Sequence, residues 1–197
     1  MCPAVVCFSG KRKSGKDFVC ALLAKRLESD GLQVAVRGVS YPLKEEYARL
    51  HQLDAQLLKT DAPYKEIHRQ KMVEWGESIR RKDPSYFCRA TISNVGSVDV
   101  ILISDCRRPS DIEFFKNNFG NSLRLVRVES DLEVRKARGW RFTPEIDDAE
   151  TECALDDFDS WHFFIDNSAD CTPDTVPIAL NNQIEQLSQQ IHQIVAH

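Results

Sequence analysis

The 197-residue chain has no apolar run long enough to cross a membrane. It enters its first apolar segment at Ala4, with no basic leader or small-residue cleavage site ahead of it. Its last residues, Ile-Val-Ala-His, match no peroxisomal or endoplasmic-reticulum address. None of its seven cysteines (Cys2, Cys7, Cys20, Cys88, Cys106, Cys153, Cys171) is spaced as CxxC, and the five histidines form no ligand cluster with them. Free thiols in a reducing compartment follow from that spacing, and a structural zinc site is not indicated. Internal repeats and low-complexity segments are also missing. Charge of one sign is not in excess: 26 Lys and Arg face 30 Asp and Glu, a net of −4. Bulk charge therefore selects no partner, and no feature calls for nucleic acid or a membrane. A soluble, monomeric, cytosolic protein is expected, with an internal peroxisomal signal left open.

What is present is an alternation of short apolar runs with longer amphipathic ones. Strands are predicted at Ala4 to Phe8, Val34 to Val39, Val98 to Ser104, Leu123 to Val128 and His162 to Ile165. Helices are predicted after Gly15, over Leu43 to Leu50, Tyr64 to Arg81, Asp111 to Phe119, Asp131 to Gly139 and Thr175 to Val195. Pro84 is placed at the first position of another helix, with Asp83 as its N-cap. This order predicts an α/β fold: a doubly wound, five-stranded parallel sheet in one domain spanning 1–197. Residues 135–158 are expected to form a polar lid region.

Residues 10–17 read G-K-R-K-S-G-K-D and fit the phosphate-loop pattern G-x-x-x-x-G-K-[ST] at every position but Asp17. Gly10 and Gly15 permit backbone angles closed to other residues, so successive N–H groups can face an anion at a helix N-terminus. Lys16 is expected to reach the β and γ phosphates of ATP. The strand before and the helix after supply the context that such a loop needs. Asp17 stands where a hydroxyl commonly meets Mg²⁺. Its carboxylate either contacts Mg²⁺, directly or through water, or stabilises the helix start. Lys11, Arg12 and Lys13 offset its charge.

Asp105 follows the uninterrupted apolar run VDVILIS, at the ligand edge of a parallel sheet, where an acid holds Mg²⁺ or its water. Arg107 and Arg108 come next. Guanidinium forks at a strand mouth suit a phosphorylated acceptor or a transferring phosphoryl group, the bland alternative being a surface pair bonded to Asp111 and Glu113. Arg135, Lys136, Arg138 and Arg141 cluster beside Gly139 and Trp140, as a closing lid would require or a solvated basic face would permit. Lys44, Lys65, Arg69, Arg80 and Arg89 lie between the second and third strands and point to a strongly anionic acceptor. The run Asp147-Asp148-Ala149-Glu150 reads as a solvated face and is assigned no chemistry.

Several of these segments resemble one family, the animal-type phosphomevalonate kinases. The loop FSGKRKSGKDF, its Asp included, carries the resemblance, with YPLKEEYA, YKE, WGE, DPSYFCR, SDCRRPSDIEFF, RGWRFTP and DDAETECALDDF. It spans roughly residues 4–167. The resemblance implies a P-loop fold like that of the nucleoside monophosphate kinases. It implies transfer of the γ-phosphoryl of ATP to (R)-5-phosphomevalonate, giving 5-diphosphomevalonate and ADP on the mevalonate route to isoprenoids and sterols. It assigns Lys11, Arg12, Lys13, Ser14, Gly15, Lys16, Asp17 and the lid arginine Arg138 to ATP, with Asn167 and Ser168 at the nucleotide end. Lys44, Lys65, Arg80, Arg89, Arg107 and Arg108 fall on the acceptor side. Lys16, Arg107 and Arg108 would act on the transferring group, and Asp17 and Asp105 on Mg²⁺.

Two rival classes remain to be weighed. One is a kinase of the same fold acting on a nucleotide or on dephospho-coenzyme A. The other is a P-loop switch or scaffold; the guanine-reading Asn-Lys-x-Asp of such switches is absent, and Lys16 and Asp105 are intact.

Overall fold

The computed structural model describes residues 2–60, 63–169 and 175–196; Cys171 and His197 lie outside them. The described residues divide into two compact units, one of residues 1–36 and 97–197 and one of 37–96.

The first unit is built on five strands: β1 (Ala4–Ser9), β2 (Val34–Arg37), β3 (Val100–Ile103), β4 (Leu123–Glu129) and β5 (Phe163–Asp166), in the order β2-β3-β1-β4-β5. β1 runs parallel to β3 and β4, and β4 parallel to β5. Every residue of β1 and of β3 is buried, as central parallel strands covered on both faces require. The two-residue period divides them between two cores. Ala4, Val6 and Phe8 of β1, with Val100, Leu102, Val126, Val128 and Ile165, join one core. Helix α1 (Lys16–Ser29) closes it with Val19, Cys20, Leu23 and Leu27. The last helix, Ile178–Val195, adds Leu180, Ile184, Leu187 and Ile191 at helical spacing. On the other face the helix Pro109–Phe119 contacts β1 and β4 and buries Ile112 and Phe115. Its start is fixed by Pro109 at its first position and by the Asp111 carboxylate, which accepts from the backbone N–H groups of Arg107 (3.1 Å) and Arg108 (3.2 Å).

The second unit is helical: Ser40–His51, Ala55–Lys59, Pro63–Lys82 and Tyr86–Ile92. Trp75 packs against Tyr47 and Phe87 with ring centroids 5.8 and 6.0 Å away. At Gly76 a side chain would strike Leu43.

The predicted strands are all present, with their ends shifted by at most two residues. Two short helices were not predicted, Ala55–Lys59 and Glu150–Cys153; each is too short to show a hydrophobic period. The predicted helix at Pro84 starts instead at Tyr86, after Ser85. Asp83 forms a turn there, its Oδ1 accepting from the N–H of Ser85 at 3.2 Å. The terminal helix starts at Ile178, just after Pro177, rather than at Thr175.

Candidate active site

β1 delivers the chain to the phosphate loop at the carboxyl edge of the sheet. Gly10 turns with φ +151°, and a side chain there would run into the carbonyl of Val128 and the Ser14 hydroxyl. Lys13 and Gly15 both take positive φ, +63° and +87°, so the loop alternates its hand as an anion-binding nest does. At Gly15 a side chain would collide with Asn167 Nδ2. α1 starts immediately after.

Lys16 is 8% exposed and curls back over the loop. Its Nζ donates to the carbonyls of Gly10 (2.6 Å) and Lys11 (3.1 Å). Burial pushes its pKa down to about 7, helped by Arg107 and then by Arg127, against the opposing pull of Asp17 and Asp105. Both carboxylates thus act on the amino group at the loop. They also act on the Cys20 thiol, pushed up to about 12, chiefly by burial. Two hard-oxygen groups beside a phosphate loop suit Mg²⁺ brought in by a nucleotide. No group of three or more His, Cys, Asp or Glu side chains placed to hold a metal ion occurs among the described residues.

A second shell of bonds fixes the loop. Ser14 is buried, and its Oγ has no hydrogen-bond partner among the described residues. Its carbonyl accepts from Asn167 Nδ2 at 2.8 Å and from Arg138 Nη1 at 3.4 Å. Arg138 also donates to Ser130 Oγ (3.0 Å) and to the Asn167 carbonyl (2.9 Å). Ser168 Oγ accepts from the N–H of Asp131, which opens the helix Leu132–Ala137. A cavity of about 480 Å³ opens here, lined by Lys11, Ser14, Arg127, Ser130, Arg135 and Ser168 among others. Of the residues expected from sequence to meet ATP, Lys11 to Asp17 form the loop, Arg138 and Asn167 bond to its Ser14, and Lys11, Ser14 and Ser168 line the cavity.

The residues of the expected lid region belong to the same unit. Arg135 Nε donates to the Arg12 carbonyl at 2.9 Å and stacks over Trp140 at 4.6 Å. Arg12 Nη2 donates to the Arg141 carbonyl at 3.1 Å. Asp147, expected to lie on a solvated face, is instead buried in its side chain. It accepts from Trp140 Nε1 (2.9 Å) and the N–H of Thr143 (2.8 Å) and lies 3.3 Å from Arg12 Nε. An ion pair joins the Arg107 guanidinium to Glu152; in the alternative surface reading its partners were Asp111 and Glu113. The sequence reading missed Arg127 and Glu152. Arg127 lies on β4 and stacks on Trp161 at 5.7 Å, and its only sequence signal is a cation at a position flanked by buried residues.

In the second unit, Lys44 Nζ lies 5.7 Å from the Tyr41 ring centroid. Arg80 stacks on Phe87 at 4.8 Å and pairs with Glu77 at 3.1 Å. Arg89 is paired with Asp83. Lys65 is half-buried in the first turn of the long helix Pro63–Lys82.

The sequence profile of the family described as phosphomevalonate kinase matches residues 8–121. The chain belongs to that family. A phosphomevalonate kinase of Drosophila melanogaster is 38% identical over 182 residues, covering 90% of this chain and 95% of that one. Among solved structures, a gluconokinase from Sinorhizobium meliloti 1021 aligns over 97% of each chain at 15% identity, with a TM-score of 0.50. A shikimate kinase from Aquifex aeolicus vf5 aligns over 96% of each chain at 14% identity, with a TM-score of 0.45. The gluconokinase likeness concerns the fold alone. No helix among the described residues is long and apolar enough to cross a membrane.

Proposed function

We infer that the chain is a phosphomevalonate kinase, an ATP-dependent phosphotransferase that converts (R)-5-phosphomevalonate and ATP to 5-diphosphomevalonate and ADP. The observation that carries this reading is the 38% identity to the Drosophila phosphomevalonate kinase across 90% of the chain, set on a phosphate loop that keeps both glycines and Lys16. The product belongs to the mevalonate route to isoprenoids and sterols.

In this reading the loop N–H groups and Lys16 hold the β and γ phosphates. Lys16 exchanges its bonds to the Gly10 and Lys11 carbonyls for phosphate oxygens. Arg138 and Asn167, already bonded to Ser14, hold the nucleotide end, with Ser168 beside them. Asp17 and Asp105 would hold Mg²⁺ that enters with ATP and neutralises phosphate charge. By the family resemblance, Lys44, Lys65, Arg80, Arg89, Arg107 and Arg108 are the cations assigned to the anionic acceptor. A phosphate oxygen of phosphomevalonate attacks the γ-phosphorus, and the bond to the β,γ-bridging oxygen breaks to release ADP. No general base is needed, because the attacking oxygen is already ionised at pH 7. Catalysis then rests on in-line positioning and on cations placed where charge moves. Closure of the lid keeps water from competing as acceptor. A monomer in the cytosol completes the proposal.

The test is ADP release from MgATP with phosphomevalonate, AMP, CMP, dephospho-coenzyme A or mevalonate as acceptor, beside a Lys16→Met control. Turnover confined to phosphomevalonate and lost in the control is expected. Faster turnover with a nucleotide would overturn the acceptor assignment and leave the P-loop standing.

A further inference from the structure

The acidic segment 147–156 takes no part in the chemistry above, yet its carboxylates sit on the cations assigned to substrates. Glu152 is ion-paired with Arg107, and its side chain is 8% exposed against 39% for Arg107. The Glu152 carbonyl accepts from Lys11 Nζ at 3.0 Å. Asp156 takes the same amino group at 2.5 Å through Oδ2, and lies 3.4 Å from Arg127 Nη2 through Oδ1. Asp147 is held differently. Besides Arg12 it has the Trp140 indole and the Thr143 N–H, two bonds from residues just ahead of the segment.

We propose that Glu152 and Asp156 are internal stand-ins for substrate phosphates, seated on Arg107 and Lys11 and displaced when phosphomevalonate and ATP bind. Two residues gather three cations: Glu152 meets Arg107 and Lys11, and Asp156 meets Lys11 and Arg127. Without anions these cations repel one another and drift from the geometry that substrates need. A carboxylate neutralises a cation in place, but carries less charge and fewer acceptor oxygens than a phosphate, so a phosphate displaces it. The exchange is local. Glu152 belongs to a single four-residue turn, Glu150–Cys153, while Asp147 stays bonded to Trp140 and Thr143 as the fixed end of the segment. Seated stand-ins lower apparent substrate affinity by the fraction of enzyme they occupy. The two sites separate cleanly: Glu152 competes with the acceptor on Arg107, and Asp156 with ATP on Lys11.

This inference rests on the reading that Arg107 and Lys11 bind substrates, and the experiment tests the two separately. Equilibrium binding of phosphomevalonate alone and of MgATP alone is measured by calorimetry for wild type, Glu152→Gln, Asp156→Asn and Arg107→Met, each checked for folding by circular dichroism. Glu152→Gln should tighten phosphomevalonate about 3- to 10-fold with a smaller effect on MgATP. Asp156→Asn should do the reverse. Unchanged or weaker binding in both isosteric variants overturns the stand-in role, because a carboxylate that merely positions Arg107 or Lys11 would be missed by its ligand. Phosphomevalonate binding that survives Arg107→Met at wild-type strength instead sinks the assignment of Arg107 to the acceptor, and the Glu152 stand-in with it.

Discussion

Asn167 donates through Nδ2 to the carbonyl of Ser14 at 2.8 Å, so the end of β5 holds the phosphate loop from behind. The residue is 1% exposed and follows the last edge strand of the sheet. Its own carbonyl accepts from Arg138 at 2.9 Å. One residue thus links the loop and Arg138 to the end of the final strand, through its side chain to Ser14 and its backbone carbonyl to Arg138. Asn167→Ala leaves a carbonyl near the loop without its strongest partner, which costs about 1–3 kcal/mol of stability. It should also loosen the loop, raising the KM for ATP about tenfold while moving the KM for phosphomevalonate little. Urea denaturation and steady-state kinetics measure both. Equal increases in the two KM values would show that Asn167 supports the whole fold rather than the nucleotide end.

Gly15 faces the same amide. Its φ of +87° lies in the left-handed region, and a Cβ would overlap Asn167 Nδ2. Gly15→Ala therefore meets two penalties at once, backbone strain of about 1–3 kcal/mol and a clash with a buried group. ATP binding should be lost. The double variant Gly15→Ala with Asn167→Ala removes the clash but keeps the strain and the lost bond to Ser14, so it should be destabilised by less than the sum of the two single variants. Destabilisation equal to that sum would exclude the overlap as a cause.

Lys16 gives a pH dependence with a definite sign. Its pKa falls to about 7 in the folded enzyme from an ordinary value near 10.5. Between those values the unfolded chain holds the proton and the folded chain does not. Stability from this group therefore rises with pH through that window, and its full penalty is felt below pH 7. Lys16→Met removes the penalty, so the variant should melt several degrees above wild type at pH 6 and close to it above pH 10. ATP reverses the preference, because phosphate oxygens favour the ammonium form. Binding near pH 8 should then take up a fraction of a proton. Calorimetry in buffers of different ionisation enthalpy reads that uptake, which should vanish in Lys16→Met.

The loop was legible because its signal is local: two glycines, a lysine, an apolar strand before and a helical period after. Central strands were legible for a related reason, since VILI of β3 is buried on both faces and reads as a continuous apolar run. The partners of the cations were not. Arg107 and Glu152 are 45 residues apart, Lys11 and Asp156 are 145 apart, and no period connects them. Asp147 looked like a solvated acid because sequence shows its neighbours and not the Trp140 indole folded onto it. The family resemblance reached the nucleotide residues through contiguous motifs, and it said nothing of Arg127, whose strand position resembles any half-buried charge.

Asp17 is the one departure from the usual loop and gives the last prediction. It is exposed in the first turn of α1, and its charge raises the pKa of Lys16 along with that of Asp105. A helix-start role and a metal role make different demands. The helix start needs only negative charge or a short acceptor, and an amide satisfies it to within about 0.3–1 kcal/mol. A metal ligand needs a hard oxygen of high charge density, which an amide supplies poorly and a hydroxyl supplies adequately in most phosphate loops. Asp17→Asn should therefore raise the Mg²⁺ concentration needed for half-maximal rate about tenfold and lower kcat, while the melting temperature stays within a few degrees. Asp17→Ser should recover much of the Mg²⁺ response. If Asp17→Asn titrates with Mg²⁺ as wild type does, the carboxylate serves the helix and Asp105 is left as the candidate metal ligand.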